Sequence, residues 1–129
     1  MKGSREDYIR YRSLKSDEAF EDARLLVENK RWNASVNRLY YSSFYLVSAL
    51  LFQNKLAAQT HNGVKTNFFL HFVKTDKVSK DLGKLYSSLF DWRQESDYAD
   101  FVDFDSDTVS PLLNKVRELN DLLKLFLQE

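Results

Sequence analysis

The chain has no cysteine, which removes disulfides and thiolate zinc sites together. That fits a reducing compartment, and the cytoplasm is the expected location. Three glycines and one proline leave little material for tight turns, which argues against an all-β fold made of hairpins. No uninterrupted apolar run approaches the roughly 20 residues of a membrane span, so no membrane association is expected. The N-terminal Met1-Lys2-Gly3-Ser4-Arg5-Glu6-Asp7 lacks the apolar stretch of a signal peptide. Charge of one sign is also missing: 19 basic residues balance 19 acidic ones. Dedicated DNA-binding domains usually carry a basic excess, so bulk charge lends nucleic-acid binding no support, and only a local basic patch stays open.

What is present reads as helix around an aromatic-rich core. The 129 residues suffice for one domain, taken as 1–129, and aromatics make up 15 % of them. Residues Arg5 to Lys30 form a long charged helix with an intermittent stripe of Ile9, Phe20, Ala23 and Val27. Arg31-Trp32-Asn33 breaks it, with Asn33 as the expected N-cap of the next helix. From Asn33 to Gln53 the apolar residues cover most of the wheel, so this helix belongs at the centre of a bundle. Its narrow polar stripe is Arg38, Tyr41, Ser42, Tyr45 and Ser48. Asn54 to Gly63 reads as a loop ending in an Asn-Gly turn. A short helix follows from Val64 to about Lys74, and a fourth runs from an N-cap at Ser79 to about Tyr98. Asp100 to Asp107 is acidic and irregular, with Phe101 and Phe104 expected to tuck inward. The last helix begins near Asp107 to Ser110, where Pro111 is tolerated in the first turn. The expected architecture is all-α: a single antiparallel up-and-down bundle of four to five helices.

Several chemistries lack their residues. Gly3, Gly63 and Gly83 share no phosphate-loop spacing. His61 and His71, the two histidines, open no metal-ligand pattern, so neither a metal nor a cofactor is expected. Three constellations remain. Arg93 falls about 20° from Leu82 on the apolar stripe of its helix, where a guanidinium needs partners. Asp97, one turn on, is the obvious one, and Tyr98 follows it. The plain alternative is an ion pair that fixes a helix end or a subunit contact. Arg38 and Tyr41, with Tyr45, form a polar line on the central helix; the plain alternatives are a buried Arg held by neighbouring carboxylates or carbonyls, and tyrosines that fill the core with a hydrogen-bonded hydroxyl. His61 stands just before a helix N-terminus, whose dipole favours the neutral imidazole, and a capping or packing histidine is the alternative.

The run Ala34-Ser35-Val36-Asn37-Arg38-Leu39-Tyr40-Tyr41-Ser42-Ser43-Phe44 resembles the central-helix signature of the HEPN domain family. Thr60-His61-Asn62-Gly63-Val64 is similar to that family's Thr-His-Ser-Gly-Val turn. Phe72-Val73-Lys74-Thr75 and Arg93-Gln94-Glu95-Ser96-Asp97-Tyr98 match its next two landmarks, in order and at matching separations. The resemblance implies a helical bundle that pairs as a homodimer. It implies a minimal nucleotidyltransferase as the partner in a toxin–antitoxin module, and in some pairs AMP is attached to a tyrosine near the motif. Many members are metal-independent ribonucleases with an Arg followed four to six residues on by His. The Arg stabilises the phosphorane charge and the His moves protons.

The chain departs from that pattern at the decisive place. The window after Arg93 holds Tyr98, Ala99 and Asp100 and no His. One expectation is therefore a non-catalytic module that binds a nucleotide or the partner through Arg38, Tyr41 and Asp97, with Tyr98 as the modification target. The other is an active metal-independent endoribonuclease toxin, with Arg93 assisted by Tyr98 or His61. His61 qualifies only where the fold brings it to Arg93.

Overall fold

Helix α2 (Trp32–Gln53) is the axis on which the other helices pack. Its apolar residues surround the wheel, and Val36, Leu39, Tyr40, Leu46, Val47, Ala49 and Leu51 are wholly buried. The computed structural model describes residues 2–98 and 103–128, with the side chains of Lys2 and of 95–98 outside the description. Around α2 stand α1 (Lys2–Glu28), α3 (His61–Phe68), α4 (Lys80–Tyr98), α5 (Ser106–Val109) and α6 (Leu112–Leu127). A π-helical turn, Phe69–Val73, extends α3. Among the described residues there is no strand, so the all-α expectation holds.

Scarcity of glycine shows at the helix ends. Lys30, Lys55 and Asp76 take the left-handed conformation, with φ of 58°, 60° and 65°, where glycine is the usual choice. At the end of α1, Arg31 N–H reaches Leu26 O at 2.8 Å and Lys30 N–H reaches Val27 O at 3.0 Å. That is the Schellman closure, and the same pair of bonds recurs from Leu56 and Lys55 onto Leu51 and Phe52. Gly83 is needed for space: a Cβ there would lie 2.8 Å from Val73 Cγ1, where α4 crosses the π-helical turn.

A buried polar network joins three helices. Ser16 Oγ donates to Ser42 O at 2.6 Å, Asn120 Nδ2 to Ser42 Oγ at 3.1 Å, and Ser43 Oγ to Asn120 Oδ1 at 2.8 Å. Each bond fixes the register of α1 or α6 against α2, because a slip would strand these groups away from water.

Three local expectations are corrected. Asn33 does not cap α2, whose N-cap Arg31 makes no side-chain bond. The Asn33 side chain instead accepts from Phe104 N–H at 2.9 Å, and so holds the far connection. Thr60-His61-Asn62-Gly63 opens a helix rather than closing a turn, because the Thr60 hydroxyl accepts the Gly63 N–H at 2.9 Å. The last helix is two, with α5 capped by Asp105 and the break at Ser110-Pro111. Phe104 does tuck inward, against Trp92, while Phe101 lies outside the described residues.

Candidate functional site

Tyr40 is the meeting point. Its ring is wholly buried, and its hydroxyl lies 2.8 Å from His61 Nδ1. The Arg93 guanidinium sits over the ring, 5.1 Å from its centroid. Tyr86 packs beside it at 5.9 Å. Three elements thus converge: α2 supplies Tyr40, the start of α3 supplies His61, and α4 supplies Tyr86 and Arg93.

Local sequence explains each placement. The Thr60 cap makes His61 the first residue of α3 and points the chain back at α2. The imidazole rests on Phe44 at 4.4 Å and meets the edge of Tyr41 at 5.8 Å, and remains partly exposed. Arg38, one turn from Tyr41, lays its guanidinium on that ring at 5.2 Å and bonds to Asn37 Oδ1. Arg93 is buried, with 7 % of its surface exposed, and Tyr86 lies two turns earlier on the same stripe. A desolvated cation gains about 2 kcal/mol over an aromatic face, which offsets part of its lost hydration.

Electrostatics follow from burial. His61 is held below its ordinary value of 6.5, first by burial and then by the positive charge of Arg93, so it is neutral at pH 7. Burial pushes the Tyr40 phenol up to about 12, although Tyr86 and Arg93 pull it back. Tyr86, fully enclosed, is raised well above the usual phenol range. Its hydroxyl lies against that of Tyr40 in a geometry short of a well-formed hydrogen bond. The cluster therefore combines neutral phenols, a neutral imidazole and the fixed positive charges of Arg93 and Arg38. A phenol can serve either imidazole tautomer. When it donates to Nδ1, Nε2 carries a proton it can give; when it accepts from Nδ1–H, Nε2 is a base.

The fold thus brings together Arg93, His61, Tyr41 and Arg38 from the sequence-level candidates. Asp97 and Tyr98 follow Arg93 on α4, and their side chains lie outside the described residues. Tyr45 packs beside Tyr41 at 6.1 Å and lies under the Arg12 guanidinium at 5.5 Å. Periodicity alone gives Tyr40 and Tyr86, both among apolar neighbours on their helices, no role beyond packing. The spacing of Tyr86 and Arg93, two turns apart on one stripe, was the available signal for the second. Among the described residues, no group of three His, Cys, Asp or Glu is placed to hold a metal, and no helix is long and apolar enough to cross a membrane.

Comparison with known proteins gives the family. A protein of Thermotoga maritima named "UPF0332 protein" is 38 % identical over 125 residues, which cover 97 % of this chain and 95 % of that one. Two Methanocaldococcus jannaschii proteins are also similar. "Putative toxin MJ0142" is 29 % identical over 78 % of this chain and 69 % of its own length. "Putative toxin MJ0605" is 31 % identical over 64 % of this chain and 62 % of its own. The model of the HEPN domain matches residues 9–126, and the chain belongs to the HEPN domain family.

Proposed function

We propose that this chain is the toxin-like HEPN component of a two-component module, that its partner is a minimal nucleotidyltransferase-type protein, and that it cleaves RNA without a metal ion. The observation that carries the cleavage reading is the convergence of His61 and Arg93 on Tyr40. The motif window after Arg93 lacks a His, and α3 supplies one from 32 positions earlier in the chain. In this reading His61 Nε2 takes the proton of the RNA 2′-hydroxyl, with Nδ1–H given to Tyr40. The 2′-oxygen then attacks its own phosphodiester. The bond to the 5′-oxygen breaks, and that oxygen takes a proton from water. A 2′,3′-cyclic phosphate and a 5′-hydroxyl remain. Arg38, half-buried on Tyr41, is the guanidinium placed to meet the phosphate. Arg93 acts from behind the ring, keeping His61 neutral and opposing the developing negative charge.

One observation favours a second reading. Arg93 is buried against Tyr40, so it does not itself reach a phosphate in this conformation. A module that only binds a nucleotide or its partner, through Arg38 and Tyr41, would need no more, and Tyr98 would be its AMP acceptor. RNA cleavage in EDTA separates the two. Loss of cleavage in a folded His61→Ala variant supports catalysis. Wild-type cleavage by that variant removes His61 from the mechanism. Absence of cleavage by the wild type, with nucleotide bound, supports the binding module. Pairing into a homodimer belongs to either reading, and light scattering would then give twice the 15.2 kDa of one chain.

A further inference from the structure

The zero net charge conceals a strong separation along the chain. Residues 55–90 carry six lysines against two aspartates, whereas 91–129 carry ten carboxylates against four basic residues. The basic part is α3, the π-helical turn and the start of α4. There a groove of 510 Å³ is lined by Lys65, Lys74 and Lys80 around Phe69, Leu70 and Val73. Asp76 and Asp81, the two aspartates of this segment, do not line it. Leu70, which lines it, is 48 % exposed and offers apolar surface beside the lysines.

The groove neighbours the Tyr40 cluster through α3: Asn62, which lines it, follows His61 in sequence. Lys65, one turn on, places its ammonium 4.6 Å from the centroid of Phe90, and the Phe90 ring packs edge-on to Tyr40 at 6.2 Å. A chain lying in the groove would therefore meet cations and apolar side chains along the helix that begins with His61.

We infer that this lysine-rimmed groove is the track for single-stranded RNA, with phosphates on Lys65, Lys74 and Lys80 and unpaired bases against Phe69 and Leu70. This rests on the reading of the Tyr40 cluster as an RNA-directed site. Charge complementarity selects an anionic ligand, and the apolar lining selects one with free base faces over a duplex, whose bases are already stacked. It also makes the local basic patch compatible with a neutral chain.

The test is anisotropy with a fluorescein-labelled single-stranded RNA of about 12 nucleotides, read across a salt series. Each phosphate contact contributes about −0.7 to the slope of log affinity against log salt, so Lys74→Gln with Lys80→Gln should flatten it by about 1.4. Affinity at low salt should fall at least about tenfold, since two phosphate contacts are lost. Both lysines are exposed, so the fold should survive. Arg10→Gln with Lys30→Gln removes the same charge outside the groove and should leave binding unchanged. No binding by the wild type would overturn the inference. So would equal loss in the two double variants, equal affinity for a duplex, or displacement of RNA by polyglutamate as effective as by RNA itself. If His61→Ala cleaves normally, the catalytic reading fails while the groove stands, because binding is measured separately on the wild type and the two double variants.

Discussion

Replacing Tyr40 with phenylalanine removes one oxygen from the centre of the site. The ring stays, and with it the Arg93 contact at 5.1 Å and the packing against Tyr86 and Phe44. What is lost is the 2.8 Å hydrogen bond to His61 Nδ1, with a net worth of about 1 kcal/mol. His61 is partly exposed and can take water at that nitrogen. The Tyr86 hydroxyl cannot, since it is wholly buried and loses its polar neighbour, so roughly another 0.5–1 kcal/mol is expected. The total of about 1.5–2 kcal/mol should lower Tm by about 5–8 °C for a chain of this length. A cycle with His61→Ala isolates the bond. Urea unfolding of the wild type, both single variants and the double variant should give a coupling of about 1 kcal/mol. A coupling below about 0.3 kcal/mol would refute the argument, because the two side chains would then be independent. In the cleavage assay, Tyr40→Phe should lower kcat and leave KM nearly unchanged, as a group that orients a proton carrier without touching substrate would.

Three other perturbations test separate parts of the structure. The His61 contribution to stability is undiminished above pH 6.5 and is lost as pH falls from there towards its lower folded value, because the unfolded imidazole takes up the proton first; NMR titration should find that lower value, and Arg93→Gln should raise it without restoring 6.5, since burial is the larger cause. Gly83→Ala should destabilise by about 1–3 kcal/mol in urea melts, although alanine is the better helix former, because the added methyl meets Val73. Lys30→Gly should stabilise by roughly 0.5–1 kcal/mol, because it relieves a left-handed backbone at the end of α1; a loss of stability would show that the Lys30 stem packs more than its backbone strains.

The helices were legible because their apolar stripes were. The nearly all-round apolar character of α2 announced a central helix, and burial bears it out. The errors fell where side chains compete for backbone partners. Asn33 is a good capping residue by type, but Phe104 N–H, from 71 positions away, claims it. Thr60-His61-Asn62-Gly63 has turn composition, yet the Thr60 hydroxyl starts a helix with it. At the site, Arg93 stood out because a charge on an apolar stripe is anomalous. Tyr40 did not, because a tyrosine among Leu39 and Phe44 looks like packing. Its hydroxyl matters only through His61, 21 positions on, and single-helix periodicity carries no information about that distance.

The choice of a phenol as the partner of His61 has its own consequence. A carboxylate in that position would stabilise the imidazolium and raise its pKa, and would also screen the charge of Arg93. Tyr40, raised to about 12, stays neutral over the whole physiological range. The Arg93 field therefore reaches the imidazole uncancelled by its hydrogen-bond partner, and it acts in the same direction as burial. Both effects favour the unprotonated ring, which is the form that can accept a proton from a 2′-hydroxyl at pH 7. The arrangement thus fixes the imidazole by a hydrogen bond, as a carboxylate would, while shifting its ionisation the opposite way. The order of residues in the usual Arg-then-His motif is dispensable on this view. In the proposed mechanism the chemistry needs a guanidinium near a neutral imidazole, and α4 and α3 bring two such groups to one ring on α2.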